Sequence, residues 1–296
     1  MARRNTIAFP VALVCLLLGA CGHFAAPDAR PPAPPILVSV SSHAVYLVDA
    51  RTGQVREVAR PVSDFQGGYA SWAPDHTRFA YGNDGIMILE PRLNREEALV
   101  PGRALSMPAW SPDGRRLVYG DGVSLWVTDV DHVDPARIRI PAVLAPLEMT
   151  WSSTGVIAFE GLALDCSQIV RCVSTGSSEI WTILPDGTGL TRLTHVGHAE
   201  KPKWAPDGGT FLFVRRYPKT KKPDELWESR ADGSGAHRVL GGPVLAADWA
   251  PDGSSLAVAR PGPKPKTVQV WTGHPDGSSL RASGKPVMGE DATLDW

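Results

Sequence analysis

The chain has 296 residues, 30 basic and 31 acidic side chains, and a net charge of −1. That balance, with 21% charged residues, excludes a global field directed at nucleic acid or at lipid headgroups. With 43% hydrophobic residues it is long enough for one large domain with a real core.

Residues 1–20 read as an export signal: Arg3 and Arg4 form the charged end, and Ile7 to Leu18 an apolar run too short for a stable membrane span. Leu18-Gly19-Ala20-Cys21 resembles the lipobox of bacterial lipoproteins, which implies that Cys21 becomes the lipidated N-terminus of the mature chain. Residues 21–35 include Pro27, Pro31, Pro32, Pro34 and Pro35, a composition that favours an extended spacer over a packed domain. The anchor places the domain outside the cytoplasm, on the outer face of the cell membrane or, in a cell with two membranes, on the periplasmic side of the outer one. Gly22 lacks the Asp that commonly retains lipoproteins in the inner membrane.

From Ile36 onward a six-residue phrase recurs: Ser71-Trp72-Ala73-Pro74-Asp75, Ala109-Trp110-Ser111-Pro112-Asp113-Gly114, Lys203-Trp204-Ala205-Pro206-Asp207-Gly208 and Asp248-Trp249-Ala250-Pro251-Asp252-Gly253. Thr150-Trp151-Ser152-Ser153-Thr154-Gly155 is a worn copy, and Leu294-Asp295-Trp296 is cut off by the end of the chain. The period of roughly 45 residues, with Trp and an Asp-Gly turn, is that of four-stranded propeller blades. Pro and Asp shape the turn, Gly takes its positive φ, and Trp fills the gap between neighbouring sheets. All ten tryptophans fall in two registers of the unit: Trp72, Trp110, Trp151, Trp204, Trp249 and Trp296 in the first strand, Trp126, Trp181, Trp227 and Trp271 in the third. The first unit, Ile36 to Val58, has three strands and no Trp-bearing one, whereas Ala292 to Trp296 is a Trp-bearing strand with nothing after it. The expected fold is therefore all-β: a six-bladed β-propeller over residues 36–296, closed by pairing the C-terminal strand with the N-terminal blade.

These repeats, the Ala231-Asp232-Gly233-Ser234 hairpin and Arg192-Leu193-Thr194 resemble TolB-type β-propellers. The resemblance covers Ile36 to Trp296 and implies a non-catalytic, protein-binding module of the bacterial envelope. It departs from TolB itself in having no α/β domain expected ahead of the propeller and in carrying its own lipid. Similar propellers also serve peptidases and lyases, so function has to be argued from sites.

Chemistry is sparse in the sequence. It has no Gly-x-Ser-x-Gly elbow and no His-Glu-x-x-His. His195 and His198 are the best metal candidates, but two histidines in one loop are more often solvated than ligating, and no cofactor is expected. The alternatives to a binding module are a metal-assisted lyase or hydrolase acting on cell-wall or imported polymer, with those histidines near the metal, and a carbohydrate-binding propeller. The latter is weakened because the tryptophans are used between blades, leaving Phe65 and Tyr217 as loop aromatics. Cys166 and Cys172 are expected to form a disulfide stapling the excess length of the longest repeat.

The turns between second and third strands share one face with the links between blades, and the irregular length lies there. Two of these loops are basic: Arg215, Arg216, Lys219, Lys221 and Lys222 in one, Arg260, Lys264 and Lys266 in the next. Together they form the expected binding sector for an envelope protein or an anionic wall polymer, with membrane contact through the N-terminal lipid only, no nucleic-acid partner, and a monomeric chain.

Overall fold

Short runs of β-branched and aromatic residues, each closed by Pro, Asp or Gly, give antiparallel strands throughout and no helix among the described residues. A computed structural model describes residues 33–40, 44–60, 69–102, 106–167 and 173–296. The expected signal, the lipidated Cys21 and all but the last three tether residues lie outside them.

The strands form six sheets. In the second blade the order from the inside out is Ala70–Trp72, Phe79–Gly82, Gly85–Glu90 and Arg95–Pro101. The third repeats it with Ser106–Trp110, Arg116–Gly120, Leu125–Asp129 and Ala136–Ile138. The fourth has Leu144–Trp151, Ile157–Asp165, Val173–Ile183 and Thr191–Arg192, and the fifth Ala199–Trp204, Thr210–Arg215, Glu225–Arg230 and His237–Leu240. The sixth has Ala246–Trp249, Leu256–Pro261, Thr267–Gly273 and Arg281–Ala282, with Val287–Met288 added beside its third strand.

The first blade is shared between the two ends of the chain, as expected. Ala292–Asp295 is its innermost strand, followed by Ile36–Val40, Ala44–Val48 and Val55–Ala59. The register places Leu37 opposite Asp295, Val38 opposite Leu294, Ser39 opposite Thr293 and Val40 opposite Ala292. Each repeated tryptophan packs on the preceding blade: Trp72 against Leu37, Val45 and Leu47, Trp249 against Leu212 and Val214, Trp296 against Ala257, Ala259 and Val268. All six are 5–9% exposed. The third-strand tryptophans are only half-buried, so less of their surface is spent between blades than the repeat implied.

The fourth blade departs from the pattern. Its outer strand, like that of the sixth blade, is only two residues long, Thr191–Arg192, and beyond it Thr194 Oγ1 rather than a backbone carbonyl accepts the Ile180 N–H at 2.8 Å. Its second and third strands are the longest among the described residues, and Gly161 passes so close to Trp181 that a Cβ there would lie 2.5 Å from the ring.

Deleting Thr293 to Trp296 removes the buried Leu294 and Trp296 and unpairs Ile36–Val40. The expected cost is at least the 3–5 kcal/mol typical of losing one buried Trp, measured as a large drop in thermal midpoint. A midpoint equal to that of the intact chain would mean that the ring closes elsewhere.

Candidate functional site

In a ring of this kind the innermost strands wall a central channel, and what faces it is set by place in the repeat. The residue before each repeated Trp lines the channel at the Trp-turn face: Ser71, Ala109, Thr150, Lys203, Asp248 and Asp295. Lys203 Nζ lies 3.2 Å from Asp248 Oδ2 and 3.4 Å from Asp295 Oδ1. The two aspartates also tie blades together, since Trp72 N–H donates to Asp295 Oδ2 at 2.8 Å and Trp296 N–H to Asp248 Oδ2 at 3.2 Å. The indole N–H groups do the same: Trp110 donates to the Ser71 carbonyl, Trp72 to that of Pro35 and Trp296 to that of Pro34. The described chain therefore enters the ring at the Trp-turn face.

A second charged layer lies further along the channel. Lys201 is 5% exposed; its Nζ donates to Asp291 Oδ1 at 2.6 Å and to the Ala292 carbonyl at 2.8 Å, and lies 3.9 Å from Glu148. Tyr69 and Glu148 line the same cavity. Arg216 joins the layer through Glu200 at 2.9 Å, Asp224 at 3.6 Å and Asp291 at 3.7 Å. Burial pushes Glu148 up to about 7, the Lys201 charge offsetting only part of the effect. Burial, then the neighbouring carboxylates, likewise raises Glu160. Burial also pushes Asp248 up to about 7, against the pull of Lys203 and with the push of Asp295. A cavity of about 300 Å³ opens at the Trp-turn face, lined by Lys203, Asp248 and Asp295 and reaching inward to Tyr69 and Glu148.

The expected site residues on the loop face have a mixed fate. Arg215 stacks over the Tyr217 and Trp227 rings at 5.3 and 5.0 Å. Arg216 turns toward the channel, as above. Lys222 Nζ donates to Tyr217 Oη at 2.9 Å and pairs with Glu225 at 3.2 Å. Burial alone would raise Glu225, but hydrogen bonds from Tyr217, Trp227, Arg238 and Lys222 outweigh it and hold the carboxyl at about 2. Arg260 donates to the Gly241 carbonyl at 3.3 Å, and Lys266 pairs with Glu290 at 3.3 Å. Lys219, Lys221 and Lys264 are exposed. Carboxylates at the feet of both loops thus temper a sector that looks purely basic in chain order.

The histidine loop is organised by a carboxylate. Glu179 accepts from Gly197 N–H at 2.7 Å, Val196 N–H at 3.2 Å and Arg192 Nη2 at 2.8 Å. His195 is exposed and His198 half-buried, and among the described residues no group of three or more His, Cys, Asp or Glu is placed to hold a metal. Cys166 follows the last residue of Ile157–Asp165; Cys172 and Phe65 lie outside the described residues.

The channel carboxylates make stability pH-dependent with an unusual sign. Glu148 has its folded pKa at about 7 against an ordinary 4.5, so between those values the folded state holds a proton that the unfolded state has released. Its contribution to stability therefore falls as pH rises through that window, by on the order of 3 kcal/mol. Glu148→Gln should remove this term, so that the variant gains on the parent between pH 5 and pH 7 in denaturant titrations. A difference between the two that stays constant with pH would show Glu148 to be ordinarily ionised.

No protein-family model and no curated protein sequence matches the chain. Solved structures resemble it closely in shape. TolB from Acinetobacter baumannii superposes with a TM-score of 0.70 at 14% identity, over 90% of this chain and 67% of that one. A TolB described as putative, from Agrobacterium tumefaciens, gives 0.61 at 19% identity, over 88% of this chain and 91% of that one. An oligogalacturonate lyase in complex with manganese gives 0.53 at 14% identity, over 82% and 70%. The chain has the six-bladed fold of the TolB-like β-propellers.

Proposed function

We propose that the chain is a lipid-anchored, extracytoplasmic propeller that binds a macromolecular partner in the bacterial envelope and catalyses nothing. The carrying observation is that irregular length is concentrated on the loop face, while the opposite face repeats short Trp-turns. The long hairpin of Ile157–Asp165 and Val173–Ile183, the 216–224 loop and the 262–266 loop all project there. Variable loops on a rigid scaffold are where binding usually resides. Lipid on Cys21 and a Cys166–Cys172 disulfide ordering the hairpin tip belong to this reading.

The partner it fits is an envelope protein or an anionic wall polymer that meets the exposed Lys219, Lys221 and Lys264 and the cations beside them. A second reading, a metal-assisted lyase, is favoured by one observation: the likeness to an oligogalacturonate lyase in complex with manganese. Stoichiometric metal in the purified protein, lost on His198→Ala, would favour it.

Replacing Arg215, Arg216, Lys221, Lys222, Lys264 and Lys266 together by Ser is the direct test. Capture of the crosslinked native partner should weaken markedly at low salt, and the parent's capture should fade as salt is added. Because Arg216 and Lys222 also hold local structure, a variant limited to Lys219, Lys221 and Lys264 accompanies it. Capture indifferent to both variants and to salt would remove the basic sector from the binding surface.

A further inference from the structure

The six residues before the repeated tryptophans divide the channel into unlike halves. Ser71, Ala109 and Thr150 are small and leave room; Lys203, Asp248 and Asp295 form a charged wall. In that wall one ammonium is shared by two carboxylates at 3.2 and 3.4 Å. Both separations exceed the roughly 2.7–2.9 Å of a close charge-assisted bond. Lys201, one layer away, sits 2.6 Å from its own carboxylate. Formally the wall sets two carboxylates against one ammonium, and a cation entering beside them would favour the ionised form of Asp248, whose carboxyl burial otherwise raises.

Two independent features accompany it. Thr293 lines the same cavity, is only 8% exposed, and its Oγ1 finds no hydrogen-bond partner. At the cavity rim, the turn position filled elsewhere by Gly114, Gly155, Gly208 and Gly253, all at φ between 68° and 87°, is taken in the second blade by His76 at φ 52°. A side chain held in that conformation costs free energy, and such strain collects at functional sites. The His76 ring rests against Trp72, with centroids 6.0 Å apart.

We propose that this cavity binds an ammonium or guanidinium group carried on a short alkyl stem, with the cation against Asp248 and Asp295 and the stem against the proline rim of Pro74, Pro206 and Pro251. A volume of about 300 Å³ accommodates a ligand of that size. Two carboxylates against one ammonium disfavour an anion. A bare metal ion lacks a ligating trio among the described residues, whereas N–H donors need only the carboxylate and hydroxyl acceptors present. The same chemistry comes from a free alkylamine or guanidine, or from a Lys or Arg side chain of a polypeptide. The site lies on the face opposite the irregular loops, so it stands or falls independently of the partner surface proposed there.

Calorimetric titration of the purified chain with agmatine and, separately, with the peptide acetyl-Gly-Arg-Gly-amide tests the proposal, with tryptophan fluorescence as a second readout. Saturable binding of one equivalent is expected for at least one probe. Agmatine alone would indicate a free small molecule, and the peptide, alone or together with agmatine, a basic side chain. Asp295→Asn, which keeps an acceptor for the Trp72 N–H, should weaken binding roughly tenfold, the weight of one charge-assisted hydrogen bond. Thr150→Phe, which fills the roomy half and leaves the charged wall intact, should abolish it. Folding of both variants is checked by circular dichroism. Absence of saturable binding of either probe to the parent chain, or binding to folded Thr150→Phe equal to the parent's, would overturn the proposal.

Discussion

The pairing of Ile36–Val40 with Ala292–Asp295 is the constraint on which the rest of the molecule depends. A blade buries its faces only against two neighbours, so a ring with one open gap exposes two apolar faces and an unpaired edge. Here the gap is closed by backbone bonds across the two ends of the chain and by apolar contact, with Val38 and Leu294 both essentially buried. Polar links reinforce it on either side: Asp295 holds the Trp72 N–H, Asp248 holds the Trp296 N–H, and the Pro34 and Pro35 carbonyls hold two indoles. Every other inter-blade contact can then be the same contact repeated, Trp on the sheet before it.

That repetition explains what the sequence disclosed. Blade number, strand order, the closing strand and the face carrying irregular length all follow from Trp registers and turn residues, because those residues are fixed by local sterics. The bond by which Thr194 Oγ1 replaces a backbone acceptor for Ile180 did not follow, because it spans 14 residues. The channel was legible in principle: the residue before each repeated Trp lines it, so position in the repeat marks Lys203, Asp248 and Asp295. Lys201, Glu148 and Asp291 were harder. Lys201 adopts φ 57° and the strand register slips once between Glu200 and Lys203, so a simple alternation misplaces its side chain.

The loop face shows the opposite error. Chain order displayed two basic runs without an internal acid, but Asp224 and Glu225 lie just beyond the first run and Glu290, far along the chain, reaches the second. Ion pairs at exposed ends contribute little to stability, yet they lower the local field, and the sector's strength now rests mainly on three lysines. The two faces thus carry unlike chemistry: an exposed, tempered basic sector among irregular loops, and a confined acidic wall at the regular Trp-turn face.

Amide hydrogen exchange over the closing strands tests the account most directly. If closure is the contact that holds the ring, the amides of Ile36–Val40 and Ala292–Asp295 open only with the whole domain. They should then match the slowest amides of Thr210–Arg215 and share their dependence on denaturant. Exchange of the closing strands at rates typical of frayed termini, while Thr210–Arg215 stays fully protected, would contradict it.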